Sequence, residues 1–223
     1  MKNLTLIIPA KNESESLPIV LKELNNFKYN INIVLHSSDE NTIKSISNFD
    51  IKIIYQKNLG YGDALIHGIN KCETEYFCIF NADGSFNPNE IEEMVYKLKK
   101  NDLDFIFASR YEKNASSEDD TLITLTGNKI FSFIGRVFFS LPITDILYTF
   151  VLGKTEKVNN LNLVYKDFCF CVELPIKAKK NNLTLISNPS NERKRIAGKK
   201  KVNAFKDGLK ILLSMISLKF RYH

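Results

Sequence analysis

The segment Tyr76-Phe77-Cys78-Ile79-Phe80-Asn81-Ala82-Asp83-Gly84-Ser85 decides how the chain folds. Its first five residues are apolar, which is typical of a buried strand, and the polar residues that follow end that strand. Alternate residues of an extended chain point the same way, so Asn81 and Asp83 can share one ligand while Ala82 faces the core. Their oxygen atoms suit magnesium or manganese bridging a diphosphate. The same residues are ordinary turn formers, and this segment alone leaves both interpretations open.

Further runs rich in β-branched and aromatic residues predict strands at 4–8, 31–35, 51–55 and 105–108. Apolar side chains at helical spacing predict helices between them. One such stripe is Leu17, Val20, Leu21 and Leu24, and another is Ile91, Met94, Val95 and Leu98. Alternating strands and helices predict an α/β fold with a mainly parallel sheet that helices cover on both faces. Ligands of such folds bind at the carboxyl ends of the strands.

The pattern changes after residue 111. A polar, acidic loop at 116–121 precedes an apolar and partly helical region at 130–152, a helix at 167–180 and a strand at 183–187. The chain then continues through a basic loop into an amphipathic helix. The apolar stripe of that helix is Leu209, Leu212, Leu213 and Ile216. We interpret residues 1–111 and 112–223 as two halves of one compact domain.

The composition of the chain indicates which class of protein it belongs to. A chain of 223 residues with 44% hydrophobic content can bury a sizeable core. The net charge is +6, and the basic residues concentrated at 193–201 indicate an anionic partner. The four cysteines match neither a zinc site nor a disulfide framework, which indicates reduced, buried thiols. The apolar run at 4–8 is too short for a signal peptide, and no uninterrupted apolar run approaches the ~20 residues of a spanning helix. We therefore expect a cytoplasmic protein that does not cross a membrane.

Seven motifs together resemble the inverting family 2 glycosyltransferases, especially the branch of dolichyl-phosphate mannose synthase and polyprenyl-phosphate glycosyltransferases. In chain order they lie at 7–13, 58–64, 81–83, 108–111, 144–145, 170–173 and 195–201. The resemblance implies a GT-A, Rossmann-like fold whose first half binds a nucleotide-sugar. It also implies a second half that binds the acceptor, with a basic lid at about 190–202 and a C-terminal amphipathic helix.

The resemblance also implies the residues that hold the donor. It places Pro9, Ala10, Asn12 and Glu13 against the base and the ribose, and a carboxylate such as Glu13 can accept hydrogen bonds from the ribose hydroxyls. Asn12 and Glu13 alone would also suit a cap for the following helix. Gly60 and Gly62 permit a close backbone approach to a ligand, although a tight turn explains them equally well.

Two positions depart from the family pattern. Relatives carry an Asp-Asp-Gly-Ser turn that reads the base, whereas this chain has His36, which either contacts the base or fills the turn. Relatives also carry Asp at the position of Asn81, so Asp83 is the expected principal ligand of the divalent metal. The identity of the base does not carry over.

The basic positions are expected to bind phosphate. By resemblance, Arg195 and Lys201 match the lid arginine and the late lysine of the family, and Arg110 matches a further position near a donor or acceptor phosphate. Arginine offers bidentate geometry for such contacts. A solvated run of charge is the alternative for the lid.

The expected reaction is inverting transfer of a sugar, with the metal at Asp83 and the lid neutralising the leaving diphosphate. A polyprenyl phosphate acceptor needs no general base, whereas a sugar hydroxyl does. The candidate bases are Asp145 and Glu173. Asp145 would otherwise cap a helix or pair with Arg136 or Arg195, and Glu173 would otherwise form an ion pair that holds the basic loop.

The expected acceptor is lipid-linked, either a polyprenyl phosphate or a growing cell-surface glycan. The apolar faces of 130–141 and 206–219 either pack on the first half or lie at the inner face of the cell membrane, where flanking lysines suit anionic headgroups. We expect no nucleic-acid partner, and a homo-oligomer stays open. Nucleotidyl transfer is disfavoured because the loop after the first strand is not glycine-rich. A catalytically silent nucleotide-sugar-binding subunit is the alternative that Asn81 and His36 suggest.

Overall fold

The computed structural model of the protein describes residues 3–198 and 203–220. Its strands are β1 (Leu4–Pro9), β2 (Asn30–His36), β3 (Lys52–Gln56), β4 (Tyr76–Ile79), β5 (Phe105–Ser109), β6 (Ser116–Ser117), β7 (Val151–Lys154), β8 (Leu185–Pro189) and β9 (Asn191–Glu192). Its helices are α1 (Leu17–Leu24), α2 (Glu40–Ser45), α3 (Tyr61–Asn70), α4 (Glu90–Lys100), α5 (Leu122–Phe139), α6 (Thr155–Asn159), α7 (Phe170–Lys180) and α8 (Ala204–Phe220).

Seven strands form one twisted sheet in the order β3-β2-β1-β4-β7-β5-β8. Neighbouring strands are parallel except for β7, which runs antiparallel to both β4 and β5. The other six strands therefore point the same way, and their carboxyl ends meet at one edge. Strands β6 and β9 form a separate parallel pair. The predicted α/β fold with a mainly parallel sheet is confirmed.

Helices cover both faces of the sheet, and each face has its own apolar core. The predicted stripes of α1 and α4 are buried on one face, where they pack with Phe80, Phe86 and Phe150. Helices α3 and α7 contribute to the core of the other face, together with α8. Burial on both faces explains why the strands are apolar in continuous runs rather than in alternation.

In the second half, strand β8 lies two residues later than predicted, the short elements β6, α6 and β9 were not predicted, and α5 and β7 differ for reasons that the structure explains. Helix α5 begins at Leu122, eight residues before the predicted apolar region, because Thr121 and Thr124 form a reciprocal capping box. Strand β7 was not predicted, since Gly153 weakens its strand signal. That glycine is required: a Cβ there would lie 2.4 Å from the Phe105 ring.

The apolar helices of the second half also differ from expectation. Helix α5 has 18 residues and a mean hydropathy of 1.2, so by length and composition it is a candidate span, contrary to the prediction that no segment would qualify. Helix α8 forms as predicted, but it turns a different face inward. Its buried residues are Ile211, Ser214, Met215 and Leu218, whereas the predicted stripe is exposed.

Candidate active site

A cavity of about 790 Å³ opens at the carboxyl ends of the parallel strands. Most of the site residues predicted from the sequence line this cavity: Pro9, Ala10, Asn12, Glu13, His36, Gly60, Asn81, Ala82, Asp83, Arg110 and Arg195. Among the described residues, the lining does not include Gly62, Asp145 or Glu173. Lys201 lies outside the described residues, so its predicted phosphate contact stays a prediction.

The loop after β1 is fixed by the start of α2. The amide of Asn12, which adopts a left-handed φ of 54°, donates to Asp39 Oδ2 at 2.6 Å. The next amide, that of Glu13, donates to Thr42 Oγ1 at 2.9 Å. Ser16 Oγ donates to Glu13 Oε2 at 2.7 Å, which orients the carboxylate that is expected to meet the ribose. The loop is therefore preorganised by side chains that flank the cavity.

His36 is the last residue of β2. Its side chain lines the cavity and also makes hydrogen bonds within the turn that follows the strand. Its Nδ1 lies 2.7 Å from Ser38 Oγ, and the Ser38 amide donates to the same nitrogen at 3.2 Å. A neutral ring that accepts at Nδ1 carries its hydrogen on Nε2. Asp39 also lines the cavity, three residues after His36. The structure thus supplies a carboxylate near this turn that the motif comparison missed.

The turn after β4 brings the two expected metal ligands together. Asp83 Oδ1 accepts from the Ser85 amide at 3.0 Å, and Asn81 Nδ2 donates to Ser85 Oγ at 3.3 Å. The contact of Asn81 uses its amide nitrogen, and the amide oxygen is the atom that a hard cation takes. Asp83 Oδ2 lies 3.5 Å from Arg195 Nη1.

The basic loop is docked on this turn. The Arg193 amide donates to Ser85 O and the Ile196 amide donates to Asp83 O, both at 2.8 Å. Gly84 has a φ of 80°, and a Cβ there would lie 2.4 Å from Ile196 Cδ1. Glycine is therefore needed for the left-handed turn, and its lack of a side chain leaves room for Ile196.

The side chains fit a metal that binds jointly with a diphosphate. Within residues 3–198 and 203–220, no three His, Cys, Asp or Glu side chains form a metal-binding group. Magnesium, however, commonly takes one or two protein carboxylates and completes its shell with substrate phosphates and water. The described lining carries eight carboxylates but only five cationic side chains. A diphosphate would meet this excess of negative charge, so an accompanying cation suits the cavity.

Arg110 is held by acidic side chains, the closest of which belongs to Asp145. Its Nε and Nη2 donate to the two Asp145 oxygens at 2.7 and 3.1 Å. Nη1 lies 3.3 Å from Glu192 Oε2 and 3.5 Å from Asp120 Oδ1. Burial opposes the charge of Arg110, but the Asp145 carboxylate outweighs it and raises the arginine pKa well above its ordinary value. An incoming phosphate would compete with these carboxylates for Arg110.

Asp145 is completely buried, so the geometry does not support its expected role as a base. Its partner is Arg110 rather than Arg136 or Arg195. Glu192, by contrast, lines the cavity, and burial raises the pKa of its carboxyl group despite the nearby guanidinium of Arg110.

Glu173 is also completely buried and takes no part in the cavity. Its oxygens accept from the amides of Val164 and Tyr165 at 2.8–3.0 Å, and Lys177 Nζ lies 2.8 Å away. These bonds fix the segment that packs against α3. A Cβ at Gly62 would lie 2.2 Å from Tyr165 O, so the absence of a side chain at Gly62 serves that packing. The geometry thus gives both residues packing roles, and their expected roles with the donor and as a base stay predictions.

Sequence reasoning missed the acidic side chains opposite the basic loop. Asp119 Oδ2 accepts from Arg195 Nη2 at 2.9 Å, and Asp120 accepts from the Tyr111 hydroxyl at 2.7 Å. The pairing of β6 with β9 brings these loops together. Their opposite charges were the available signal. Cys171 also lines the cavity, and burial raises the pKa of its thiol to about 12, so it stays protonated near neutral pH.

Comparisons with known proteins support the motif analysis. Residues 5–161 match the family model described as Glycosyl transferase family 2. A UDP-N-acetylglucosamine--dolichyl-phosphate N-acetylglucosaminyltransferase of Methanococcus voltae is 28% identical over 209 residues, covering 82% of this chain and 83% of that protein. An uncharacterized glycosyltransferase of Mycobacterium tuberculosis is 24% identical over 199 residues, covering 89% of each chain.

Solved structures share the fold at low sequence identity. Glucosyl-3-phosphoglycerate synthase of Mycobacterium tuberculosis, crystallised with Mn²⁺, UDP and glucosyl-3-phosphoglycerate, superposes with a TM-score of 0.73 at 11% identity. The similarity covers 97% of this chain and 80% of that one. Mannosyl-3-phosphoglycerate synthase of Rubrobacter xylanophilus gives a TM-score of 0.70 at 12% identity, with coverages of 99% and 73%.

Proposed function

The chain belongs to glycosyl transferase family 2, and from this premise we propose inverting, metal-assisted transfer of a sugar from a nucleotide-diphosphate sugar to a lipid-linked acceptor. The enzyme is a glycosyltransferase with the GT-A fold. The observation that carries the proposal is the convergence of the loops after β1, β2, β3 and β4 on one cavity.

The donor is expected to lie along this edge of the sheet. Asn12 and Glu13 are suited to the ribose, and His36 and Asp39 are suited to the edge of the base. All four polar side chains line the cavity, and they belong to adjacent loops. Asp83 and Asn81 would hold the divalent metal. When bound, magnesium or manganese stabilises the charge that develops on the leaving diphosphate.

Arg195 is the cationic residue best placed to approach that diphosphate. It lies 3.5 Å from Asp83 and is held by Asp119, and although burial opposes its charge, these carboxylates raise its pKa. Arginine therefore remains charged and can exchange a carboxylate partner for a phosphate. Lys201 is the second lid cation in this proposal.

A phosphate acceptor agrees with the burial of the two carboxylates that were expected to act as bases. A monoester phosphate has a second pKa of ~6 and brings its own nucleophilic oxygen, so its attack needs no general base. Asp145 and Glu173, the two expected bases, are both completely buried and paired with cations. The Methanococcus voltae relative is named for transfer to dolichyl phosphate. A growing glycan is the second acceptor class. We place the enzyme in the cytoplasm, peripherally on the inner face of the cell membrane.

A thermal-shift screen tests the donor and metal assignments together. Uridine, guanosine, cytidine and thymidine diphosphates are each added with and without Mn²⁺. One nucleotide should raise the melting temperature strongly, and only with the metal. Stabilisation reaches about 2.7 kcal/mol when the ligand is at roughly a hundred times its Kd.

The matched variants are Asp83→Ala and Asp50→Ala, the latter altering an exposed carboxylate away from the cavity. Asp83→Ala should keep the fold but lose the Mn²⁺-dependent shift, whereas Asp50→Ala should behave like the wild type. A full shift in folded Asp83→Ala would refute the metal assignment. Sugar transfer to a short-chain polyprenyl phosphate, measured with the preferred donor, then tests the acceptor; transfer only to sugar hydroxyls would favour the glycan.

A further inference from the structure

The outer sides of α5 and α8 expose an unusual amount of apolar surface. Twelve of the eighteen large apolar side chains that are exposed among the described residues lie on these two helices. On α5 they are Leu122, Ile123, Ile130, Phe133, Val137 and Phe138, and on α8 they are Phe205, Leu209, Leu212, Leu213, Ile216 and Phe220. We call this set the outer face. So large a share of the exposed apolar side chains on two helices that pack together indicates an interaction site rather than scattered exposure.

Both helices are anchored to the protein along their other side, which fixes how the outer face is presented. The Ile146 amide donates to Ser132 Oγ of α5 at 3.1 Å, and a Cβ at Gly135 would lie 3.0 Å from Ile146 Cδ1. Helix α8 buries Ile211, Met215 and Leu218 in the core. The helices pack against each other, and Lys219 Nζ of α8 donates to Phe138 O at the end of α5. A helix attached along one side presents the opposite side as a surface.

The charge of these helices suits anionic headgroups. Their described cationic residues are Lys129, Arg136, Lys206, Lys210 and Lys219, against the single acidic residue Asp207. Basic residues beside an apolar helix face are the signature of helices that lie in a membrane interface. A two-fold dimer through the same surface would set identical cationic patches against each other. The charge therefore favours a lipid surface over a second copy of the chain.

We propose that the outer face docks on an anionic bilayer with both helices lying along the interface. The cavity is bordered by Thr124 and Asn128 of α5 and by Lys206 and Lys210 of α8, so its mouth adjoins the docked surface. This part rests on the proposed function: a lipid-linked acceptor reaches the cavity with its headgroup while its hydrocarbon chain stays in the bilayer. Lys206 and Lys210 are the cations that its phosphate meets first.

Vesicle flotation of the full chain tests the docking surface. The probes are vesicles of phosphatidylcholine alone and of phosphatidylcholine mixed with phosphatidylglycerol. The wild type should float with the anionic vesicles. Phe133→Glu combined with Leu213→Glu should abolish this binding, whereas Tyr55→Glu combined with Tyr96→Glu, which alters exposed aromatic residues elsewhere, should leave it unchanged.

The charge is tested separately with Lys129→Gln combined with Arg136→Gln. Loss of two basic contacts should weaken binding to anionic vesicles by about thirtyfold. Thermal unfolding followed by circular dichroism establishes that each variant is folded. Absence of wild-type binding, equal binding by the Phe133/Leu213 variant, or a homodimer in solution that this variant dissociates would each overturn the proposal.

Activity separates docking from the proposed function. The Phe133/Leu213 variant should lose transfer to an acceptor embedded in anionic vesicles but retain transfer to a water-soluble, short-chain polyprenyl phosphate. Retained transfer to the embedded acceptor would overturn the docking surface. Failure of the wild type with both acceptors would instead overturn the acceptor assignment, and vesicle flotation would still decide the docking surface.

Discussion

Helices α4 and α8 have similar apolar stripes in the sequence but opposite fates in the fold. The α4 stripe of Ile91, Met94, Val95 and Leu98 is at most 7% exposed. The α8 stripe of Leu209, Leu212, Leu213 and Ile216 is 37–61% exposed. Periodicity therefore identified both helices, but it identified the buried face of only one.

The neighbours of each helix explain the difference. Helix α4 packs on the sheet, whose apolar face accepts one stripe of side chains. Helix α8 packs on α5 and α7, and it is apolar on more than one side. Which side it buries depends on surfaces that are distant in the chain. A helix that is apolar on two sides therefore leaves one of them exposed, and periodicity alone does not tell which one.

The largest expected effect comes from truncating equivalent stripe residues. Met94→Ala should lower the free energy of unfolding by about 2–5 kcal/mol, because Met94 is completely buried and its loss leaves a cavity. Leu213→Ala should lower it by less than ~0.5 kcal/mol, because Leu213 already contacts solvent. Urea denaturation followed by circular dichroism measures both values. Equal losses would mean that Leu213 is buried and that the comparison is wrong.

A smaller effect sharpens the comparison within α8 itself. Met215 is 1% exposed, whereas the adjacent Ile216 is 48% exposed. Met215→Ala should cost about 2 kcal/mol of unfolding free energy, and Ile216→Ala less than ~0.5 kcal/mol. The same denaturation experiment applies. The reverse order would show that α8 buries the face that periodicity predicted.

The smallest effect concerns the first residue of α4, Glu90, which is half-buried, whereas the first residues of α8 are exposed. Glu90 accepts from Ser190 Oγ and the Asn191 amide at 2.6 and 2.8 Å, and burial raises its pKa above the ordinary 4.5. A raised pKa favours the protonated folded state, so this stabilisation is complete below about pH 4.5 and is lost as the pH rises through the folded-state pKa.

Glu90→Gln stays neutral and should not show that loss. The wild type should therefore lose stability relative to the variant as the pH is raised from 4.5 towards neutral. Denaturation of both proteins across this pH range measures the difference. A constant difference would show that Glu90 titrates alike in the folded and unfolded chains.

The first half of the fold was predictable because its signals are local. Strands β1 to β5 were placed within one residue at each end, since continuous apolar runs bounded by polar loops leave few alternatives. Strand β7 was missed because its partners, β4 and β5, precede it by many residues in the chain. Its Gly153, which weakens the local strand signal, is there because the Phe105 ring leaves no room for a side chain. Long-range packing decided what local propensity left open.

The candidate site divides in the same way. Residues at the end of a strand or in the loop after it, such as Asn12, His36 and Asp83, were found by their position, and the structure brings them to the cavity. Asp145 and Glu173 were chosen as carboxylates within two of the motifs, but both are buried outside the cavity lining, where they pair with Arg110 and Lys177. Motif position alone does not reveal such partners, and the roles of the residues in the cavity remain predictions.

The hydrogen bond between the Ile196 amide and Asp83 O gives a direct measure of movement of the basic loop. The Ile196 amide hydrogen is bonded to Asp83 O, so it exchanges with solvent deuterium only when the basic loop leaves the turn. Protection at this one amide thus measures how much of the time the turn is covered. Any ligand that alters this fraction becomes visible there before a single sugar has been transferred.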